Sequence, residues 1–395
     1  MSVTRRDFLS ATLLLPALAR QTSEARLIGA IPLLVPGASP PPFGRLLGDG
    51  LDARLFTDVS TLGAAPSTSP TSPDASRTPH DPPRTSTEQF FVRTACPRTL
   101  PPTDPWTVRI GGLVQAPLDL TRRDLDPLVT TGGRYLLECS GNSDPSNFGL
   151  ISTADWDGIP LAALLDRAKP SAASYRVLVS GVDDMSSTPR TSVPGASWIF
   201  SREDLQRALL ATRLNGAPLP RDHGFPVRLI VPGWYGCACI KWVDRIDLVA
   251  DQAPATTQMQ EFAARTHQDI VRLRSSDPPL ARDFIPATID TAAMPVRVEK
   301  WIRGGRIEYR ITGIIWGGAA PANALSIRFR ANQAWTRVDD CPLPASTLTW
   351  SLWTHTWRPD APGRYQIVCR IDDPSIRTRR LDLFFYVREI VVDDV

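Results

Sequence analysis

The densest pattern in the chain is the short, mostly apolar run Val227–Val231, closed by Pro232-Gly233. Its length and β-branched content predict a buried strand, and Gly236 permits a second sharp bend just after it. Upstream, the alternation in Trp106-Thr107-Val108-Arg109-Ile110, ended by Gly111-Gly112, predicts the first strand of a β-rich domain. Thr121 is placed to cap a short helix at Leu120–Leu125. The run Arg134–Glu138 reads as a strand ending in Cys139 and the small-residue turn Ser140-Gly141-Asn142. Val177–Val179 reads as another.

Beyond about residue 290 the pattern changes. Val296–Val298, Arg306–Ile311, Ile314–Trp316, Ser326–Phe329, Leu348–Leu352, Tyr365–Arg370 and Leu383–Val387 read as short alternating strands separated by turn signals. That density predicts an immunoglobulin-like β-sandwich over residues 291–395. Trp350, Trp353 and Trp357 are expected in its core or at an interface. The class is therefore α+β, mostly β. Residues 25–85 carry little periodicity, and Gly63–Arg84 is rich in Ser, Thr and Pro. This stretch is expected to lie as an arm on the surface of the main domain at 86–290.

Composition narrows the classes. A length of 395 residues allows two or three domains with real cores, and a net charge of +3 argues against a large nucleic-acid footprint. The start Thr4-Arg5-Arg6-Asp7-Phe8-Leu9, a short apolar run and Ala17-Leu18-Ala19 form the pattern of a twin-arginine export signal over residues 1–24. Its apolar part is shorter than the roughly 20 residues a spanning helix needs. Such export carries folded proteins, which suits a cofactor enzyme of the periplasm.

Candidate chemistry clusters around the central run. Leu219–Trp242 places His223, Arg221, Arg228 and Lys241 just before and after a buried strand, where they can converge on an anion. The chain has only three lysines against 41 arginines, so a lysine inside this stretch is notable. A buried strand with solvated charged ends is the bland alternative. Cys139, at a strand end beside a glycine turn, can aim a soft thiolate into a cavity, although a single cysteine is more often a small buried hydrophobe. If Cys139 binds metal, five cysteines remain and cannot all pair; Cys341 and Cys369 share a domain and could. The Cys237-x-Cys239 spacing does not suit zinc. The sequence shows no Ser-His-Asp context, no phosphate-cradling glycine loop and no b-type haem domain.

The run Leu214-Asn215-Gly216-x-Pro218-Leu219-Pro220-Arg221-Asp222-His223-Gly224-Phe225-Pro226-Val227-Arg228, with Val231-Pro232-Gly233 and Lys241-Trp242, resembles the molybdopterin-binding signature of the sulfite oxidase family. Cys139-Ser140-Gly141-Asn142 resembles the family segment whose cysteine ligates molybdenum. Gly149–Leu161 resembles its Gly-x-Ile-x-x-Ala-x-Trp-x-Gly-Val-Pro-Leu. Phe90-Phe91-Val92-Arg93-Thr94 resembles the family's Phe-x-Val-Arg opening, although the His that follows there is Ala95 here. Gly313-x-x-Trp316-Gly317-Gly318 and Ala334-Trp335-Thr336 resemble its dimerisation domain.

The resemblance covers residues 86–395 and implies a mixed α/β molybdopterin-binding domain followed by the sandwich. It implies a molybdenum cofactor, with Cys139 as metal ligand and Arg93 facing an anionic substrate such as sulfite. Phe91, Asn142, Asp183, His223, Arg228, Cys239, Ile240 and Lys241 would contact the cofactor. Also implied are a homodimer and a separate electron carrier such as a c-type cytochrome.

Two departures bear on the substrate. The family follows its Cys-Ala-Gly-Asn with Arg-Arg, where this chain has Ser143-Asp144; its active-site Tyr matches Phe262. An Asp at that place would repel a unit anion by about 4 kcal/mol at ~4 Å in an effective dielectric near 20. Reduction of S- or N-oxides and a cofactor-free binding protein on the same fold are the competing readings. A secreted adhesion module would account for the sandwich alone.

Overall fold

The computed structural model describes residues 25–34, 44–48, 53–64, 82–97, 100–143, 148–183, 196–268, 279–383 and 385–395. The signal expected at 1–24 lies outside these, as does Asp144. Among the described residues strand accounts for 41% and helix for 10%, so the mostly-β class holds.

The first half packs two sheets. One runs Ala217–Pro218, Leu209–Leu214, Ile151–Pro160, Thr130–Glu138, and Arg228–Ile230 also pairs with Leu209–Leu214. The other runs Leu118–Thr121, Thr107–Gly112, Val243–Val249, Arg176–Gly181, Ser197–Ser201, antiparallel except where Val243–Val249 lies parallel to Thr107–Gly112. The apolar faces meet in a core holding Trp156, Trp198, Trp242, Ile110 and Leu210. Local chemistry sets the turns. Asn215-Gly216, both at positive φ, closes the hairpin between Leu209–Leu214 and Ala217–Pro218. The Asp124 carboxylate accepts from the Thr121 amide and hydroxyl at 2.8 and 2.6 Å, fixing the start of the helix Arg122–Leu125.

The second half is a sandwich of two four-stranded sheets. Their orders are Arg26–Ile31, Ala292–Arg303, Arg306–Trp316, Ser351–Trp357 and Thr336–Arg337, Leu325–Arg328, Gly363–Ile371, Arg388–Val392. Trp350 and Trp353 are fully buried in its core and Trp357 nearly so.

Three expectations change here. Arg306–Ile311 and Ile314–Trp316 are one strand, because Gly313 does not break it. A Cβ at Gly313 would fall 2.1 Å from the Trp353 ring, so its bareness makes room for an indole. Leu383–Val387 is not a strand: the Tyr386 and Val387 amides both turn back to the Leu383 carbonyl, and pairing begins at Arg388. The arm is not confined to the main domain, since Arg26–Ile31 adds an edge to the sandwich by pairing with Ala292–Arg303.

Candidate active site

One cavity gathers Phe91, Arg93, Cys139, Asp183, His223, Arg228, Cys239, Ile240 and Lys241, segments up to 150 residues apart in sequence. Its basic wall is built on the central strand. His223 closes a 3₁₀ turn, Arg221–His223, that ends on Gly224 at φ 104°. A Cβ on Gly224 would lie 3.0 Å from Cβ of Arg228 and 3.1 Å from Cβ of Lys241, so glycine lets the three basic residues close up. His223 is 5% exposed, and neither ring nitrogen makes a hydrogen bond to the protein. Burial, then the charges of Arg228 and Lys241, lower its pKa to about 3, so the ring is neutral at pH 7.

Arg228 donates through Nη1 to the His223 carbonyl and through Nη2 to that of Cys239, each at 3.1 Å. Its guanidinium lies 5.3 Å from the Trp156 ring centre, leaving Nε buried and unpartnered. Burial brings its pKa down to about 10. The residue thus braces the cradle as much as it faces the cavity. Lys241 donates to the Thr94, Asp222 and Arg93 carbonyls at 2.5, 2.9 and 3.4 Å. Burial and Arg228 lower its pKa to about 7, against the pull of Asp183 and Asp222. Thr94 sits at φ 77°, a region unfavourable for a β-branched residue, at the turn that offers Lys241 two of its carbonyls.

Cys139 follows the strand Thr130–Glu138; its amide donates to Leu150 at 2.9 Å, and the Gly141 amide lies 3.4 Å from its sulfur. Burial pushes the thiol up, while the Gly141 amide, Arg93 and Arg265 oppose that shift. Asn142, expected to touch a cofactor, does not line the cavity. Its side-chain oxygen accepts from the Gly149 and Leu150 amides at 3.1 and 3.0 Å, and its amide donates to Glu138 at 3.2 Å. The residue holds the cysteine turn in shape. Cys239 lines the cavity but sits with its sulfur near the Val231 amide at 3.4 Å, as a small buried group.

Sequence reasoning passed over several groups. Glu138, 1% exposed beside Cys139, receives both terminal nitrogens of Arg379 at 2.8 and 2.7 Å and the Trp316 indole at 2.8 Å. A buried carboxylate of this kind demands partners, but those partners lie in the sandwich, too far along the chain to be read. Thr94, Asp222, Cys237 and Gln258 also line the cavity. Asp222 was within the quoted motif, so its signal was available. All six cysteines are unbridged, including Cys341 and Cys369.

A phosphorylated pterin carrying dithiolene-held molybdenum suits these residues. Unpartnered donors at His223 and Arg228, beside Lys241, suit a phosphate and the polar edge of a pterin, and the Cys139 sulfur suits the metal.

Comparison with known proteins agrees. Residues 95–257 match the family model of the oxidoreductase molybdopterin binding domain. Sulfite oxidase of Gallus gallus is 28% identical over 318 residues, 74% of this chain and 67% of that protein. Mitochondrial sulfite oxidase of Homo sapiens is 28% identical over 310 residues, 72% of this chain, and the chain spans 55% of that protein's length. Nitrate reductase [NADH] 1 of Nicotiana tabacum is 30% identical over 223 residues, 51% of this chain and 24% of that protein. In fold, the sulfane dehydrogenase SoxCD from Paracoccus pantotrophus superposes with a TM-score of 0.60 at 18% identity, over 98% of this chain and 96% of that one. Residues 95–257 thus form a molybdopterin-binding oxidoreductase domain, and the chain around it is similar to the sulfite oxidases.

Proposed function

We propose that this protein is a molybdenum-cofactor oxidoreductase that carries out a two-electron oxygen-atom transfer on a small substrate such as sulfite, and passes the electrons to a separate cytochrome-like carrier. The observation that carries this reading is the shared cavity of Cys139, His223, Arg228 and Lys241. When bound, the cofactor supplies the redox-active metal. The chain's own residues bind and orient it. Cys139 offers a thiolate to the metal; His223, Arg228 and Lys241 hold the anionic end; Asp183 and Ile240 bound the pterin. Arg93 faces the same space and attracts an anion. Phe91 and Phe262 form apolar wall that limits water.

The twin-arginine pattern at 1–24 supports export to the periplasm, and the C-terminal sandwich supports a homodimer. Reduction of an S- or N-oxide is the second reading, favoured by two observations: the nitrate reductase likeness over half the chain, and a Phe262 ring where a hydroxyl would help bind an anion.

The test is metal and pterin content followed by a substrate screen. Protein matured with the cofactor should hold about one molybdenum and one pterin per chain and oxidise sulfite. Cys139→Ser should lose turnover at least ~10³-fold with its circular dichroism unchanged. Protein lacking both metal and pterin after maturation would defeat the reading.

A further inference from the structure

We infer that electrons leave the cofactor site along a route built by Tyr235 and His267, which runs from the backbone of Cys139 to the surface and delivers them singly to a redox-carrier protein seated against His267. Resting on the proposed function, this deepens it by placing the exit.

The route begins one residue before the metal ligand. The Gly236 amide donates to the Glu138 carbonyl at 2.7 Å, so the turn that carries Tyr235 is bonded directly to the strand end that carries Cys139. Gly236 lines the cavity, and a Cβ there would lie 3.9 Å from Cα of Cys139. The turn itself is held from two sides. Its Ala238 amide donates back to the Tyr235 carbonyl at 3.0 Å, and the Tyr235 amide donates to the Ala287 carbonyl at 2.9 Å.

From there the Tyr235 side chain crosses the seam between the two halves. It is 3% exposed, with the Arg379 guanidinium 5.4 Å from its ring centre. Its hydroxyl shares a hydrogen bond of 3.3 Å with Nε2 of His267. A phenylalanine would fill the same space, so what the hydroxyl adds is this link. Burial pushes the phenol pKa up, and the group stays protonated as a bridge, not an acid.

His267 forms the outer end. It closes the 3₁₀ turn Ala263–Thr266 at φ 61°, and its Nε2 also lies 3.5 Å from Oδ2 of Asp290, which Nε of Arg377 meets at 3.2 Å. One edge of the imidazole is thereby fixed, while 36% of the side chain is open to solvent. Between the Cys139 sulfur and this open ring every step is a covalent bond or a hydrogen bond. Electrons tunnel more readily through such links than across van der Waals gaps. Each transfer oxidises the reduced cofactor by one electron and reduces one carrier; no bond forms or breaks.

Flash-quench kinetics test the route, with a bipyridyl ruthenium label on His267 in a His80→Gln background. The other two of the four histidines, His223 and His355, are buried at 5% and 6% exposure. In dithionite-reduced, molybdenum-loaded protein, photo-oxidised ruthenium should recover faster than in labelled protein lacking the cofactor, at a rate independent of protein concentration. Tyr235→Phe should slow that recovery about tenfold or more, at unchanged molybdenum content and circular dichroism. Its rate of reduction by sulfite should stay at the wild-type value, which damage to the cavity would not allow. Recovery in Tyr235→Phe as fast as in wild type, or recovery in loaded wild type no faster than without the cofactor, would overturn the inference and leave the cofactor assignment standing. Protein that takes up no molybdenum would remove the functional reading and this inference with it.

Discussion

At His223 burial and neighbouring positive charge act in the same direction. Its folded-state pKa of about 3 lies below the usual 6.5, so the folded chain holds the ring neutral. Between these values the unfolded chain binds the extra proton, and stability falls as pH drops from 6.5 toward 3. At pH 4.5 this one group costs about 3 kcal/mol relative to pH 7. Denaturant unfolding of the cofactor-free protein at the two pH values should show that loss. His223→Gln should lack that share of it. A variant that loses as much as wild type would refute the assignment of the cost to this ring. An anion seated against His223 favours the protonated ring, so cofactor-loaded protein should lose less.

At the scale of elements, the end of the strand Thr130–Glu138 carries the site. Glu138 ties it to Arg379 and Trp316, and Asn142 ties the following turn to Gly149 and Leu150. Glu138→Ala would leave the Arg379 charge buried without its carboxylate, costing about 3–5 kcal/mol. Urea unfolding measures this, and a loss below ~1 kcal/mol would show that the pair is not structural.

The strand itself was legible from its apolar run and the Ser-Gly turn, and so was the hairpin at Asn215-Gly216. The partner of Glu138 was not. Arg379 sits in Arg377-Thr378-Arg379-Arg380, which by charge alone looks like a solvated face. Its 8% exposure comes from a fold that brings it back over 241 residues. The placing of Asn142 off the cavity lining was hidden for a similar reason. A motif match gave its position beside the cysteine but not the direction of its side chain, which the backbone amides of 149 and 150 capture. Leu383–Val387 had the composition of a strand, but its rings serve as packing instead. Tyr386 meets Phe148 edge-on and lies tilted against Trp316, and its hydroxyl accepts from Arg379 at 2.9 Å.

At the scale of the molecule, two cores meet next to Cys139. Leu136, Phe148, Ile151 and Tyr235 belong by sequence to the first half yet pack in the core of the second. The Trp350 indole of the sandwich donates to the Pro83 carbonyl at 2.7 Å. The sandwich therefore does more than extend the chain: through Arg379 and Trp316 it fixes the strand end from which Cys139 leaves. Fold class and the basic wall were readable because they rest on local runs. The seam was not, because it rests on contacts between halves.

The account turns on whether the Cys139 sulfur reaches the metal. X-ray absorption at the molybdenum edge of the loaded enzyme counts sulfur neighbours directly. Wild type should show three, two from the dithiolene and one from the protein, and Cys139→Ser should show two at equal metal content. An unchanged sulfur count in Cys139→Ser would contradict the assignment.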